Sequence, residues 1–267
     1  MRPLLLSLLP PRLRLSAWSR LYRPNLRRRP ELYSAARLSL APPPGAAMEL
    51  VPGDLVSDCI AYTGLYELAL SRRVVRLARS GGTLVDVGAN LGYFVLLWAD
   101  AARQNRCLAI EPSPRNVELL RHNVARNGLS DRVQVVGAAA GRERGTMAFD
   151  PGPPDQTGWG GLVVVPRGSA FEVETVRLDD LAGHLPSVEL LKVDAEGADG
   201  WVLMGAERLL RERRVAEIRF EQNKPRMRAL GIGDADPERF LRAIGYDPRP
   251  EGDPATDVVP WSARPRR

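Results

Sequence analysis

Thr83-Leu84-Val85-Asp86-Val87-Gly88-Ala89-Asn90-Leu91-Gly92-Tyr93-Phe94 is the stretch whose reading decides the fold. An apolar strand runs to Asp86, breaks into Gly88-Ala89-Asn90-Leu91-Gly92, and resumes as the apolar run Tyr93 to Trp98. That pattern is a strand, a tight glycine turn and a helix start, which lets backbone N–H groups approach a nucleotide-like ligand. Nineteen residues past Gly92, a second short strand, Cys107 to Ile110, ends in Glu111. A carboxylate at that place can accept hydrogen bonds from two ribose hydroxyls.

Outward from this stretch, strands and helices alternate. The spacing predicts a short strand over Met48–Val51, helical segments over Asp54–Tyr66 and Glu67–Arg79, and a stop at Gly81-Gly82 before the first strand. Next come helix Tyr93–Arg103, strand Arg106–Ile110, helix Pro114–Asn127 and strand Val133–Gly137. Pro114 suits a first turn, Val117, Leu120 and Val124 keep helical spacing, and Gly128 follows the end. Strand Leu190–Val193, helix Gly200–Arg211, strand Ala216–Glu221 and helix Pro237–Ile244 complete the series. Such alternation implies parallel pairing in an open, doubly wound α/β sheet. Residues 146–178 break the rhythm with prolines, glycines and the apolar run Leu162 to Val165; they read as an inserted loop plus hairpin at the ligand-binding edge.

A chain of 267 residues can bury a substantial core, and an apolar share of 44% is ordinary for a globular protein. The net charge of +6 is unevenly placed: residues 1–46 hold nine arginines and one acid, Glu31, which leaves about −2 for the rest. The basic balance therefore lends no support to a nucleic-acid face on the core. Residues 1–46 are expected to form a basic arm, partly disordered or a helical cap. Ala41-Pro42-Pro43-Pro44-Gly45 marks the linker, and residues 47–267 form the main domain. The run Leu4 to Leu9 is too short to span a membrane and lacks the marks of a secretory signal. Cys59 and Cys107 make no metal-ligand spacing, so a reduced, cytoplasmic location is expected.

The glycine spacing helps to choose the ligand. Dinucleotide folds use Gly-x-Gly-x-x-Gly, whereas Asn90 stands here where the middle glycine would let a pyrophosphate approach. A Gly-Lys-Ser/Thr phosphate loop is absent. S-adenosylmethionine has no phosphate; it needs a carboxylate near strand one for its amino group and an acid after strand two for its ribose. Asp86 and Glu111 fit those two tasks. Further on, Leu190-Leu191-Lys192-Val193-Asp194-Ala195-Glu196-Gly197 sets an acid at a strand's carboxyl end, where ligands of open parallel sheets bind.

Val85 to Phe94, Ile110-Glu111-Pro112, Asn123, Arg177-Leu178-Asp179-Asp180-Leu181 and Lys192 to Ala198 together resemble the FkbM family of S-adenosylmethionine-dependent O-methyltransferases. The resemblance runs in order from about Met48 to about Glu221, and Gly64-Leu65-Tyr66-Glu67 is similar to the family's lead-in to strand one. It implies a Rossmann-like class I methyltransferase sheet, here with an N-terminal extension and the insertion. It also implies methyl transfer to a hydroxyl of a sugar, glycan or secondary metabolite, with Glu67 among the cofactor contacts.

On this reading Asp86, Gly88, Asn90 and Gly92 hold the cofactor with Glu111, and Ala138, in the small-residue run Gly137-Ala138-Ala139, passes the adenine; close packing is an equal explanation of that run. Asp194 is the candidate base or acceptor-orienting group. Glu196 either shares that work, holds a divalent cation with Asp194, or faces a helix N-terminus. Lys192 either lowers the pKa of the acceptor hydroxyl or pairs with Asp194. Trp159 offers a platform for a sugar ring or packs the insertion. His184, alone in a loop, and His122, on an exposed helix side, are set aside. Two further readings stand beside this one: an RNA methyltransferase aided by the basic arm, and a binding module of the same fold without turnover. The first lacks the Asn/Asp-Pro-Pro-aromatic element that amino methylation of bases uses, and the intact acids argue against the second.

Overall fold

The computed structural model of the chain describes residues 6, 8–22, 30–41 and 45–266. Seven strands form the main sheet: β1 (Thr83–Val87), β2 (Arg106–Ile110), β3 (Val133–Val136), β4 (Leu190–Val193), β5 (Ile218–Asn223), β6 (Tyr246–Pro250) and β7 (Val258–Pro265). Their spatial order is β6-β7-β5-β4-β1-β2-β3. Strands β1 to β5 pair in parallel, and β7 runs antiparallel to both β5 and β6. The chain builds outward from β1 to β3, then returns to the other side of β1 with β4. The switch point therefore lies between β1 and β4, where open α/β sheets leave a crevice.

Alternation along the central strand separates two cores. Leu84 of β1 belongs to one apolar cluster with Leu96, Trp98 and Leu120; Val85 and Val87 belong to the other with Val193, Val202 and Leu203. The covering helices follow from their patterns. Helix α1 (Leu55–Thr63) starts at Asp54, whose Oδ2 accepts from the Ser57 N–H at 2.8 Å. Helix α2 (Leu68–Ala78) follows, and α3 (Tyr93–Ala101) is buried through Ala99 because it lies under the N-terminal segments. Helix α4 (Pro114–Arg126) covers the first half of the sheet and α5 (Asp199–Gly205) the second, with α6 (Lys224–Ala229) at the end of β5.

Two expectations change. The insertion is a four-stranded sheet rather than a loop plus hairpin, with strands Ala139–Ala140, Phe171–Val176, Gly145–Asp150 and Gly161–Val163 side by side. Second, β6 and β7 had no counterpart in the pattern, because Pro248, Pro250, Pro260 and Pro265 disguise a strand pair. The described part of residues 1–46, expected as an arm or a helical cap, contains the helix Pro11–Ala17 and packs onto the domain: Leu32, Tyr33, Ala36 and Leu38 cluster with Met48 and Ile60, and Arg14 donates to the Thr63 carbonyl at 2.9 Å. The linker prolines, Pro42 to Pro44, lie outside the described residues. Among those residues no helix is long and apolar enough to cross a membrane.

Gly88 closes β1 against β4. Its φ is +71°, and a Cβ there would lie 1.9 Å from the Asp194 carbonyl oxygen. Gly88→Ala should therefore cost about 3 kcal/mol in urea unfolding, from left-handed strain plus displacement of β4. A loss under about 1 kcal/mol would show that the two strand ends can part freely.

Candidate active site

Beyond the carboxyl ends of β1 and β4 lies a cavity of about 320 Å³. Its floor is the turn Gly88 to Leu91 with Tyr93 and Phe94; Glu111 and Ser113 form one wall, and Lys192, Asp194, Glu196 and Glu221 the other. The inserted sheet supplies the roof through Phe149 and residues 157–162, and Tyr66 and Glu67 close the rim.

Lys192 organises the second wall. In the β1–β4 ladder it lies opposite Asp86, and neighbours across a ladder point the same way, so the two side chains meet. Its Nζ is 3.1 Å from Asp86 Oδ1 and 3.6 Å from Asp194 Oδ2, donates to the Gly88 carbonyl at 3.4 Å, and sits 5.4 Å from the Phe94 ring centre. Burial opposes the charge, yet Asp86, Asp194 and Glu67 outweigh it and raise the pKa of Lys192 above its ordinary value. Burial pushes the Asp86 carboxyl up, and the adjacent ammonium pulls it back. With the cation so close, the pair is ionised at neutral pH.

Around this pair stand more carboxylates than cations. Burial first, then the charge of Asp194, pushes Glu67 up to about 6, Glu196 to about 7, Asp199 to about 7 and Glu221 to about 8. Asp199 is a brace: its oxygens accept from the Ala195 N–H at 3.2 Å and the Glu221 N–H at 3.1 Å, tying the turn after β4 to the end of β5. Glu196, at φ +50°, turns toward α6, where Asn223 donates to it at 3.4 Å and Arg226 lies at 3.5 Å. Among the described residues Asp194 has no such side-chain tether apart from Lys192, and its side chain is 36% exposed at the cavity.

The opposite wall is polar and only partly satisfied. Glu111 accepts from the Asn90 N–H (2.9 Å), the Ser113 N–H (3.0 Å) and the Asn116 amide (3.3 Å). Burial pushes its carboxyl up to about 7 despite these donors. Asn90 Oδ1 and Thr157 Oγ1 are buried without a hydrogen-bond partner among the described residues. Helix α3 begins here at Gly92 with no side-chain cap, leaving first-turn N–H groups for other partners.

Gly88, Asn90, Glu111, Lys192, Asp194, Glu196 and Glu67 all line the one cavity. Three expectations need correction. Asp86 is wholly buried beneath the cavity rather than on its wall, and its carboxylate meets the Lys192 ammonium there. Ala138 is buried off the cavity wall, just before the short strand Ala139–Ala140, and it is those two residues that line the cavity. Among the described residues no three of His, Cys, Asp and Glu form a metal-holding group, and Glu196 spends its carboxylate on Arg226 and Asn223. Gly92 lies beside the cavity, with Leu120 against the place a Cβ would take. His122 pairs with Glu49 at 3.1 Å and His184 is exposed. Glu221, Thr157 and Tyr66 were missed; only Glu221, an acid ending a strand beside Asp194's, carried a readable signal.

A methyltransferase FkbM domain model matches residues 86–248. The chain belongs to this family. Methyltransferase 1 of Beauveria bassiana (strain ARSEF 2860) is 31% identical over 145 residues, 46% of this chain and 58% of that protein, so the chain spans less than two thirds of its length. 2-O-methyltransferase NoeI of Sinorhizobium fredii (strain NBRC 101917 / NGR234) is 27% identical over 165 residues, 55% of this chain and 67% of NoeI. Among solved structures, the S-adenosylhomocysteine-bound methyltransferase PaMTH1 of Podospora anserina is 14% identical, with a TM-score of 0.46, covering 76% of this chain and 80% of that one.

The cavity of this chain is rich in acids, and several carboxyls in and beside it titrate high. Glu67, Glu111, Glu196, Asp199 and Glu221 all have folded pKa values above their unfolded ones. The native state then binds more protons, and stability falls as pH rises from about 4.5 to about 8. Glu217, held down to about 2 by arginines despite its burial, changes stability only below that window. Melting of the ligand-free protein should drop steadily across the window, and Glu221→Gln should flatten the upper part. A rising profile would contradict the clustering of these acids.

Proposed function

We propose that this methyltransferase moves the methyl group of S-adenosylmethionine to a hydroxyl of a sugar, glycan or secondary metabolite. The observation that carries the reading is Asp194. It stands half-exposed at the end of β4, beside the buried Lys192 ammonium, facing the same cavity as Glu111. The donor set suits the cofactor: Glu111 for ribose hydroxyls, Asn90 with an unspent oxygen, and an acid-rich rim at Glu67 and Glu221 for positive charge. Bound there, S-adenosylmethionine supplies an electrophilic methyl on a sulfonium. Gly88 and Asn90 carry the backbone that lies against it, while Asp86 works from below by fixing Lys192.

Asp194 accepts the proton that the acceptor hydroxyl gives up and orients its oxygen; Lys192, 3.6 Å away, holds that carboxylate in place. Glu196 adds negative charge from its place against Arg226. Trp159, 52% exposed at the cavity mouth, offers a ring face to an acceptor. The name of NoeI, a 2-O-methyltransferase, supports a hydroxyl acceptor. Carboxylates around the mouth disfavour a polyanion such as RNA.

The purified chain, given methyl-labelled S-adenosylmethionine and a panel of neutral sugars and polyketide-like alcohols, should yield a labelled methyl ether. Label entering only amines or RNA would overturn the reading. Asp194→Asn should lower kcat by about 10²- to 10⁴-fold while cofactor affinity changes by under about threefold. Unchanged kcat would remove Asp194 from the chemistry.

A further inference from the structure

We propose that Asn116 is a positioning residue that joins cofactor binding to the closing of segment 151–161 over the cavity, with Thr157 meeting the cofactor directly from that segment. The proposal rests on the reading that S-adenosylmethionine occupies the Glu111 wall.

Asn116 lies in the first turn of α4, buried, and its one amide group serves two acceptors: Glu111 Oε1 at 3.3 Å and the Thr157 carbonyl at 2.8 Å. The Thr157 N–H is held from the other side by Asp54 Oδ1 at 2.8 Å, on the residue that caps α1. Both backbone groups of Thr157 are therefore fixed, and the residue lines the cavity. Its buried Oγ1 lacks a hydrogen-bond partner among the described residues, and so does Asn90 Oδ1. The Asn90 N–H is held by the second oxygen of the same Glu111 carboxylate. One carboxylate thus connects the glycine turn, through Asn90, to the inserted segment, through Asn116. A buried hydroxyl left unsatisfied is costly, and a polar ligand on this wall relieves it.

The rest of the segment is held at the surface. Gln156 pairs with the Leu55 N–H at 3.2 Å and the Gly53 carbonyl at 3.1 Å; Arg115 donates to the Pro154 carbonyl and, at 2.9 Å, to the Gln156 carbonyl; Arg226 donates to the Trp159 carbonyl at 2.9 Å. These exposed contacts compete with water, whereas the Asp54–Thr157–Asn116 grip is buried. Trp159 is two residues beyond Thr157, so whatever steadies Thr157 also steadies the aromatic face at the mouth. The cofactor then binds first and completes the acceptor side.

The test uses the full chain, calorimetry with S-adenosylhomocysteine, and hydrogen exchange of the peptide covering residues 151–161. In the wild type the ligand should slow exchange in this peptide about tenfold. Thr157→Val, which removes little but the hydroxyl, should weaken binding about tenfold without lowering the ligand-free melting temperature, and Thr157→Ser should restore it. Asn116→Ala should still bind, more weakly, with the ligand-dependent slowing of this peptide lost. If wild-type protein binds with its exchange unchanged, or Thr157→Val binds as tightly as wild type, this inference falls while the methyl-transfer reading stands. If the wild type binds no S-adenosylhomocysteine, both fall. A purely structural role would instead lower melting temperature in both Thr157 variants and leave affinity unmoved, which also overturns it.

Discussion

The ammonium of Lys192, buried between β4 and β1, is the interaction on which the site depends. It neutralises Asp86 from below, reaches Asp194 at the cavity and holds the Gly88 carbonyl of the turn between them. Removing a single partner from such a group leaves a buried charge uncompensated, which costs about 3–5 kcal/mol. The arrangement also explains the close approach at Gly88: the two strand ends must nearly touch for one ammonium to bind both. What looks like a ligand-binding glycine is first of all a packing requirement of the switch point.

On this foundation the cavity is assembled from two sheets with different work. The parallel sheet supplies charged groups at its strand ends, each fixed by register. The inserted sheet supplies a roof that packs Phe149, Leu162 and Val173 against Ala198, Met227 and Ile232, while its loop at Thr157 to Trp159 is held by hydrogen bonds through Asp54, Asn116 and Arg226. A loop held this way can adjust to an occupant at modest cost, while the strand ends and the packed part of the roof cannot. The acids crowd together because their braces demand it: Asp199 pins the Asp194 turn to the end of β5, bringing Glu221 and Glu196 into one field. Positive charge in the cavity relieves that field, which fits the proposed sulfonium cofactor.

Much of this was legible from residues alone. The strand–glycine–helix signal at Thr83 to Phe94, the acid at Glu111 and the acid at Asp194 all fall at strand ends, and chain order suffices to bring strand ends of a parallel sheet together. The place of Asp86 was not legible. Its fate depends on which residue of β4 lies opposite it, and register is a property of the assembled sheet. Pro248 and Pro260 hid β6 and β7 because local preference argues against a strand that tertiary pairing nevertheless imposes. Thr157 and Asn116 carry no motif; their role arises only because the insertion folds back onto α4 and α1.

The sequence by itself determined the α/β architecture, the location of the crevice and the types of residue at its strand ends, because those follow from short-range periodicity and turn chemistry. Tertiary structure alone decided that Asp86 meets Lys192 beneath the cavity, that Asn116 links Glu111 to the roof, and that five carboxylates share one cavity. These outcomes depend on register and on contacts across tens of residues, and no local pattern encodes the distance between side chains that far apart in the chain.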